Sequence, residues 1–586
     1  MKIHLTSGVV ACMASYAVCA RAFTSRFARR ALVSRTLAMV ATDVENPLLQ
    51  QEGLPKFETI EPEHLTPAVE GLLEKLEADF EKLETDLGSK ESPEYDDVLP
   101  VVERIQFGLG YTWGVAAHLN GVKNGDELRE AYESNQPKVV QAMTKVSQSK
   151  PLYDALANIE KSWEGNTDDS FKMQQMKRAV DNSLRGMKLG GVGLEGEEKE
   201  RFNEMKMRLA SLSTTFSNNV LDSTKGFSLT VDDPAKMEGV PGSAKGLWAQ
   251  AHIQHLKSEA KEDEEVPEMD AEAGPWRITL DIPSYLPAMS HLADREIREK
   301  VYKAYLQRAS EVNEDKNNIP LIYEILKIKG EMAKMLGYNS YAEMSLASKM
   351  APSVESVEEL TDLMAAKAVP AAKKELEEIT ALAREKGGDE YSEDKLEKLQ
   401  PWDVTFWSER LKESKFDMTE EELRPYFALP AVLDGMFGLV DRIFNVSVKS
   451  ADGEAEVWNK DVRFFKIFDN VTGRHIASFF LDPYSRPEDK RGGAWMADCI
   501  GKSEAVERET PVAYLTCNGS PPVGDTPSLM TFREVETLFH EFGHGLQHML
   551  TDAEVGDVAG INGVEVSLIK LYELVQIIDL NANPFP

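Results

Sequence analysis

The sequence predicts a mainly α-helical protein with a small β-sheet late in the chain, just before a helix that carries a pair of histidines. Long segments repeat apolar residues at three- and four-residue steps with Glu and Lys between them, which is the pattern of amphipathic helices. Short runs rich in Val, Ile and Phe, which favour strands, concentrate after residue 460. No fixed repeat period stands out, so the sequence does not predict a solenoid.

Length and charge limit the class of protein. With 586 residues the chain exceeds what one core usually organises, so we expect at least two domains or one large multi-lobed body. The net charge of −33 argues against nucleic acid as a partner, because phosphate backbones bind basic surfaces. A well-solvated acidic surface explains this charge most simply, and attraction of basic peptides is the weaker alternative. After about the first forty residues, no stretch is long and apolar enough to predict a membrane span in the mature chain.

Residues 1–42 have the composition of a targeting leader, since the first acidic residue is Asp43. An apolar run from Gly8 to Ala20 follows Lys2 and resembles a signal peptide, and the basic, acid-free segment from Arg21 to Arg30 resembles a transit peptide. A signal peptide followed by a transit peptide is typical of the two-part plastid-targeting sequence of algae with complex plastids. A mitochondrial presequence is nearly as good an explanation, and plain secretion is third. We therefore predict an organellar protein and favour the plastid stroma over the mitochondrion.

The cysteines fit a reducing compartment. Cys12 and Cys19 lie in the leader, which leaves Cys499 and Cys517 in the mature chain. Two residues cannot make a disulfide framework or a four-cysteine zinc site. We predict that both are buried, unreactive thiols.

Helical periodicity covers most of the mature chain. It is clearest in five segments: Ala68–Leu87, Arg201–Asn219, Leu292–Glu311, Val357–Lys386 and Thr419–Phe444. The segment Lys257–Gly274 interrupts this pattern with acids, Lys and small residues, and predicts an exposed loop. We divide the mature chain near this loop into an N-terminal helical region, residues 43–285, and a catalytic region, residues 286–586.

Strand character appears in three short segments. Val462–Phe468 and His475–Asp482 are rich in Val, Ile and Phe, and the residues between them, Asp469 to Gly473, have the composition of a turn. Val512–Thr516 is the third predicted strand. A small sheet at this place could bind an extended peptide, because an exposed strand edge offers main-chain hydrogen bonds to it.

The segment Thr531–Met549, called the histidine helix below, has its own start signal. Thr531 and Glu534 have the spacing of a capping box, in which a hydroxyl and a carboxylate bind the first free amides. An apolar stripe then runs along one face of the predicted helix through Val535, Leu538, Phe539, Phe542, Leu546 and Met549.

The motif His540-Glu541-x-x-His544 predicts a zinc site on this helix. Residues four apart share one helix face, so both imidazoles reach one Zn²⁺, and Glu541 lies beside them as the general base that takes a proton from the activated water. The competing explanation is a structural histidine pair that matches the motif by chance. The capping box, the uncharged residues between the histidines and the preceding strands favour zinc. We predict His548 to be supporting or solvent-exposed rather than a ligand, because a straight helix diverges from one metal over eight residues.

Residues around this motif resemble the M3 peptidases, the family of thimet oligopeptidase and oligopeptidase A, and most closely its organellar oligopeptidase A branch. The resemblance runs from about residue 46 to about residue 565. It rests on Asn46 to Leu49, Pro62 to His64, Arg308 to Ser310, Asp461 to Phe465, Lys490 to Trp495, Pro511 to Thr516 and Thr537 to Leu546. It implies a mainly α, two-lobed, thimet oligopeptidase-like body of the zincin type. Such a body surrounds a deep channel that admits short, unfolded peptides, with the small β-sheet next to the zinc helix.

The sequence departs from the family pattern after about Glu565. The family places its third zinc ligand, a Glu, where this chain has Lys570, and a charged lysine has no acceptor for a metal. The family's later His and Tyr residues, which stabilise the tetrahedral intermediate, are not found either, so the C-terminal part of the fold is expected to be missing. A gene-model error after Glu565 is our first explanation, and a genuine truncated isoform is the second. An intact site with Glu565 or Glu573 as the substitute ligand is the third.

The resemblance implies a zinc-dependent metalloendopeptidase that hydrolyses short, unfolded oligopeptides. We expect one Zn²⁺ per chain, His540 and His544 as ligands, Glu541 as the base, short peptides as partners and a monomeric state. Two ligands alone hold zinc weakly, and each missing oxyanion donor costs on the order of 10²–10³ in rate, so we expect this chain to be weakly active or inactive. The alternative is a catalytically inactive peptide-binding or regulatory form with an incomplete zinc site.

Overall fold

The computed structural model describes residues 46–261, 266–395 and 397–563. The predicted leader, with Cys12 and Cys19, lies outside these residues. So do the three positions considered for a third zinc ligand, Glu565, Lys570 and Glu573.

The described chain is mainly helical, as the sequence predicts. Its α-helices in chain order are α1 Leu65–Ser89, α2 Leu99–Val122, α3 Asp126–Ser147, α4 Lys150–Ser162, α5 Phe171–Leu189, α6 Gly196–Lys225, α7 Gly242–Glu259, α8 Ile282–His291, α9 Arg295–Leu306, α10 Ile319–Met335, α11 Tyr341–Leu346, α12 Val354–Lys386, α13 Pro401–Phe416, α14 Glu420–Leu423, α15 Leu429–Phe444 and α16 Phe532–Met549. None of these helices is long and apolar enough to cross a bilayer.

Two of the described strands lie in the first half of the chain, and the other five lie in the second half. In chain order the strands are β1 Leu229–Val231, β2 Trp276–Ile278, β3 Val446–Ser450, β4 Arg463–Asp469, β5 His475–Tyr484, β6 Trp495–Ile500 and β7 Val512–Gly519. β1 pairs with β2, and the other five form one sheet in the order β3-β4-β5-β7-β6. In this sheet β5 and β7 are parallel, and the other neighbours are antiparallel.

The three predicted strands are confirmed as β4, β5 and β7, and the predicted turn between the first two is confirmed as well. The Asp469 side chain accepts from the amides of Val471 and Thr472 at 3.1 and 2.6 Å. Gly473 then closes the turn at φ +71°, a conformation that favours glycine.

The five-stranded sheet is the middle layer of the structure. Phe464, Phe480 and Tyr514 face one side, where they share a core with the helices from α1 to α5. Phe465 and Phe479 alternate with them and face the other side, where they pack with α15 and α16. The sheet therefore joins the N-terminal helices to the histidine helix, and burial on both faces explains why the middle of β5, from Ala477 to Leu481, is mostly apolar.

Three predicted helices lie inside longer observed ones, α1, α6 and α12, but the other two predictions need correction. The helix predicted at Leu292–Glu311 is only Arg295–Leu306, because Asp294 caps its start by accepting from the Ile297 amide at 3.0 Å. The helix predicted at Thr419–Phe444 is wrong as one element. Pro425 and Pro430 both lie in this segment. A proline has no backbone N–H to donate to a carbonyl of the preceding turn, so α14 and α15 are separate helices.

The described part of the acidic segment Lys257–Gly274 begins in a helix and not in the predicted loop. Its first three residues belong to α7, which ends at Glu259. β1 and β2, which lie before and after the segment, pair in one antiparallel ladder. The proposed division between residues 285 and 286 falls within α8, and as a domain boundary it stays a prediction.

Candidate active site

The histidine helix α16 begins where the sequence predicts. The Glu534 amide donates to Thr531 Oγ1 at 3.1 Å, and the Thr531 amide donates to Glu534 Oε2 at 2.7 Å, which is a complete capping box. Glu534 also holds the loop after β7, because its Oε1 accepts from the amide and the hydroxyl of Ser520 at 2.7 and 2.9 Å. One carboxylate therefore fixes the start of the helix to the end of the sheet.

The apolar face of α16 packs on the sheet. Leu538, Phe542 and Met549 are each 2% exposed, and the other members of the predicted stripe are partly buried against the same core. The Phe542 ring lies 5.5 Å from that of Phe479 on β5 and 6.0 Å from that of Phe437 on α15. This packing leaves the histidine motif along the rim of the buried face.

His540 and His544 turn their rings toward one point. Their Nε2 atoms are 3.1 Å apart, and the ring planes stand at 88° to each other. Burial lowers the pKa of both imidazoles, and for His544 the neighbouring His540 adds to the effect. Lowered pKa values favour neutral imidazoles, which is the form that binds metals.

Glu541 lies between the histidine face and the sheet and is 7% exposed. Burial raises the pKa of its carboxyl to about 7, and a hydrogen bond from the Met496 backbone on β6 acts in the opposite sense. On β7, burial raises the pKa of the Cys517 thiol to about 12, and the negative charge of Glu541 adds to this effect. A carboxyl with a pKa near neutrality is suited to accept and return a proton at physiological pH.

His548 belongs to the core, which corrects one part of the prediction. It is not solvent-exposed but 1% exposed, and its Nε2 donates to the Ile500 carbonyl at 3.0 Å. This bond ties the last turn of α16 to the end of β6. The prediction that His548 supports the helix rather than joins His540 and His544 agrees with this contact.

The histidine pair fits one Zn²⁺. Two nitrogens bound to a tetrahedral zinc at about 2.0–2.1 Å lie about 3.3 Å apart, and the observed separation is 3.1 Å. The described residues contain no group of three His, Cys, Asp or Glu side chains placed to hold a metal. They therefore offer two candidate ligands and one candidate base, and a third protein ligand is not among them.

β6, whose Met496 backbone bonds Glu541, is a strand that the sequence did not predict. Among the described strands β6 lies at one edge of the five-stranded sheet, paired only with β7. In that pairing Met496 stands opposite Leu515, and the sheet side of α16 contacts both strands. The segment Trp495–Ile500 lacks a strict apolar alternation, so its pattern gave no strand signal.

The prediction that Cys499 and Cys517 are both buried is confirmed for Cys517 and only in part for Cys499. Cys499 and Cys517 are both free thiols, the first half-buried and the second buried. Burial raises the pKa of each thiol to about 12, which keeps the unreactive, protonated form. The prediction of unreactive thiols agrees with this setting.

Two family models match separate parts of the chain. The family model described as peptidase family M3 matches residues 288–571, and the model of the neurolysin/thimet oligopeptidase N-terminal domain matches residues 69–199. An oligopeptidase A of Haemophilus influenzae is 41% identical over 90% of this chain and 73% of its own length. The chain belongs to peptidase family M3. The family named by the sequence motifs is thereby confirmed.

Two plant relatives are equally similar to this chain. Both come from Arabidopsis thaliana and are 44% identical over 90% of this chain, one named organellar oligopeptidase A, chloroplastic/mitochondrial, the other probable cytosolic oligopeptidase A. The chain spans 64% of the length of the organellar relative and 72% of the cytosolic one. These two relatives therefore do not distinguish an organelle from the cytosol.

Proposed function

We propose that this M3 chain is a zinc-dependent endopeptidase of short, unfolded oligopeptides, with His540 and His544 as metal ligands and Glu541 as the general base. The observation that carries the proposal is the convergence of the two Nε2 atoms at 3.1 Å beside a buried carboxyl. A bound zinc supplies an electrophile that polarises a carbonyl and makes water a stronger acid.

The residues of the chain divide the remaining work. The two imidazoles keep their metal-binding form because burial lowers their pKa values. Glu541 takes the proton of the attacking water and delivers it to the leaving amine, for which a pKa near neutrality is favourable. The open side of β6 offers main-chain groups to an extended peptide, which orients the scissile bond above α16.

A second function has an observation in its favour. The described residues hold only two ligands for the metal, and two ligands bind zinc weakly. The competing proposal is therefore a catalytically inactive protein that binds peptides or regulates another process. Both proposals share the peptide as partner and a monomeric state, and for both we propose an organelle, with the plastid favoured because of the composition of the leader.

One experiment separates the two functions. The full chain is purified, its zinc content is measured, and cleavage of a short fluorescence-quenched peptide is followed for wild type, Glu541→Gln and the matched control Glu536→Gln. Glu536 is an exposed carboxylate on the same helix. The endopeptidase requires about one zinc per chain and cleavage that Glu541→Gln lowers by at least about 10²-fold with zinc retained, while Glu536→Gln is unchanged. Zinc-free wild-type protein that binds the peptide without cutting it overturns the first proposal in favour of the second.

A further inference from the structure

Lys490 is a buried lysine outside the site described above. It is 1% exposed, and its ammonium donates to oxygens at the ends of two strands. Nζ lies 2.8 Å from Asp482 Oδ1 and 3.2 Å from the Asp482 carbonyl, 2.7 Å from the Tyr484 carbonyl and 2.6 Å from the Cys517 carbonyl. An ammonium has three N–H groups, so at least one of them is shared between two acceptors.

These acceptors lie where the parallel ladder of β5 and β7 becomes irregular. Asp482 pairs with Thr516, but the next pair is Tyr484 with Gly519, so the register shifts between them. Main-chain carbonyls at such a shift lose their strand partners, and a buried carbonyl without a partner destabilises the fold. The Lys490 ammonium supplies the missing donors to both strands at once.

The charge of Lys490 is balanced locally. Asp482 is fully buried and also accepts two bonds from Arg486, at 2.7 and 2.9 Å, and one from Trp458 Nε1 at 2.9 Å. The neighbouring cations hold the pKa of Asp482 below its usual range although burial opposes this. Burial lowers the pKa of Lys490 to about 8, and Asp482 resists that change. Removal of Lys490 alone therefore leaves Asp482 paired with Arg486 and does not strand a buried charge.

The chain leads from Lys490 directly into the edge strand. The amide of Arg491 donates to the Gly121 carbonyl on α2 at 2.9 Å, and Asn518 Nδ2 donates to the carbonyls of Arg491, at 2.9 Å, and Gly493. These bonds fix the short segment between Lys490 and the first residue of β6. Lys490 thus lies at the start of the fixed segment 490–494, and this segment leads directly into β6, which packs beside α16.

β6, which follows Lys490 in the chain, and β7, which Lys490 bonds, both pack against the helix that carries the predicted base. Met496, the second residue of β6, supplies a backbone hydrogen bond to Glu541. Cys517 gives its carbonyl to Lys490, while its side chain lies close enough to Glu541 for the carboxylate to raise the pKa of the thiol. A displacement of either strand end therefore changes the surroundings of the carboxyl.

We propose that Lys490 is a positioning residue for Glu541: by joining the ends of β5 and β7 and anchoring the segment before β6, it holds the Met496 amide and the edge of β6 in place against the base. This inference rests on the endopeptidase function for its catalytic consequence, but its structural part holds for either function. The oxygens that the ammonium bonds belong to β5 and β7, so Lys490 acts through these strands.

The test uses full-length chain with Lys490→Met and a matched control, Arg298→Met. Arg298 is also a fully buried cation; it donates to Asp403 and to the carbonyls of Leu292, Ala293 and Trp402, far from β6 in sequence. Both substitutions remove a buried cation bonded to a carboxylate and to three carbonyls. A purely structural role for Lys490 predicts that the two variants behave alike after correction for global stability.

Amide hydrogen exchange of residues 490–500 is the first measurement. In Lys490→Met we expect exchange in this segment to accelerate by about tenfold or more, while Arg298→Met leaves it at the wild-type rate. Labelling of Cys517 by a thiol reagent, identified by mass spectrometry, is expected to accelerate in parallel. Equal exchange rates in residues 490–500 for the two variants, at matched global stability, overturn the proposal. If Lys490→Met does not fold, Lys490→Gln, which keeps two donors, is measured against the same control and the same criterion.

Peptide cleavage is the second measurement. With Lys490→Met we expect kcat to fall by about tenfold while zinc content stays at the wild-type level, because the base loses its position and the histidines do not. A wild-type chain that binds no zinc and cuts no peptide removes the endopeptidase function, and the exchange experiment then still decides whether Lys490 positions Glu541. Accelerated exchange with unchanged kcat in an active enzyme refutes the catalytic consequence.

Discussion

Glu534 joins the histidine helix to the sheet, and its removal gives a measurable loss of stability. Its carboxylate accepts three hydrogen bonds, from the Thr531 amide and from the amide and hydroxyl of Ser520, at 2.7, 2.7 and 2.9 Å. Bonds to a charged acceptor contribute about 1.5–3 kcal/mol each when buried, but this carboxylate is only partly buried and water replaces part of the loss. Loss of a capping residue alone costs about 1 kcal/mol. We expect Glu534→Ala to lower the free energy of unfolding by about 2–3 kcal/mol.

Denaturation in urea measures this change, with Glu536→Ala as the control. Glu536 is an exposed carboxylate two positions further along the same helix, so its substitution has the same effect on net charge and helix propensity without the anchoring bonds. We expect the control to stay within about 0.5 kcal/mol of wild type. Glu534→Gln keeps one acceptor oxygen and is expected to lie between the two. The slope against urea has to be the same in all variants for the comparison to hold.

The reasoning is refuted if Glu534→Ala and Glu536→Ala unfold at the same urea concentration. That result would mean that solvent compensates the three donors fully, and that the packing of Phe542 and Leu538 alone places α16 on the sheet. Loss of stability in Glu534→Gln as large as in Glu534→Ala would instead mean that the charge, rather than the acceptor geometry, carries the effect.

Two further predictions concern the layers on either side of the sheet. His118 on α2 stacks on Tyr514 at 3.7 Å, and burial lowers the pKa of its imidazole to about 3. The folded protein therefore keeps His118 neutral while the unfolded chain binds a proton below pH about 6.5, so stability is full above that pH and falls as the pH decreases; His118→Phe is expected to remove about 2 kcal/mol of the loss between pH 7 and pH 5. Urea denaturation at the two pH values checks this, and an unchanged loss in the variant contradicts it. On the other face, Phe542→Ala removes a ring packed against Phe479, and we expect a loss of about 3–5 kcal/mol, measured in the same way; a loss below about 1 kcal/mol would show that the site collapses around the cavity.

Local signals explain why the histidine helix was predictable from the sequence. The capping box, the apolar stripe and the spacing of His540 and His544 all lie within one stretch of chain, and the helix geometry alone brings the two imidazoles together. The strands β4, β5 and β7 were predictable for the same reason, since each carries a run of strongly strand-favouring residues.

The parts of the site that were not predictable depend on contacts between distant segments. Nothing in the sequence near Met496 shows that its amide serves Glu541, because that contact exists only after β6 pairs with β7. Lysine is likewise a residue type that is usually exposed. Only the fold shows that the Lys490 ammonium is buried among three carbonyls and a carboxylate. Long-range pairing decides such positions, and a single sequence contains no direct record of it.

His548 shows how far spacing alone can be taken. Four residues turn an α-helix by about 400°, so each step of four moves a side chain by about 40° around the axis. One step leaves His544 beside His540, with the Nε2 atoms 3.1 Å apart. The second step brings the total to about 80°, which turns His548 away from the side of His540 and toward the sheet. There it donates to Ile500 and is 1% exposed. The same repeat therefore produces a pair of converging imidazoles, His540 and His544, and a core histidine, His548, and the rotation around the helix axis separates the two roles.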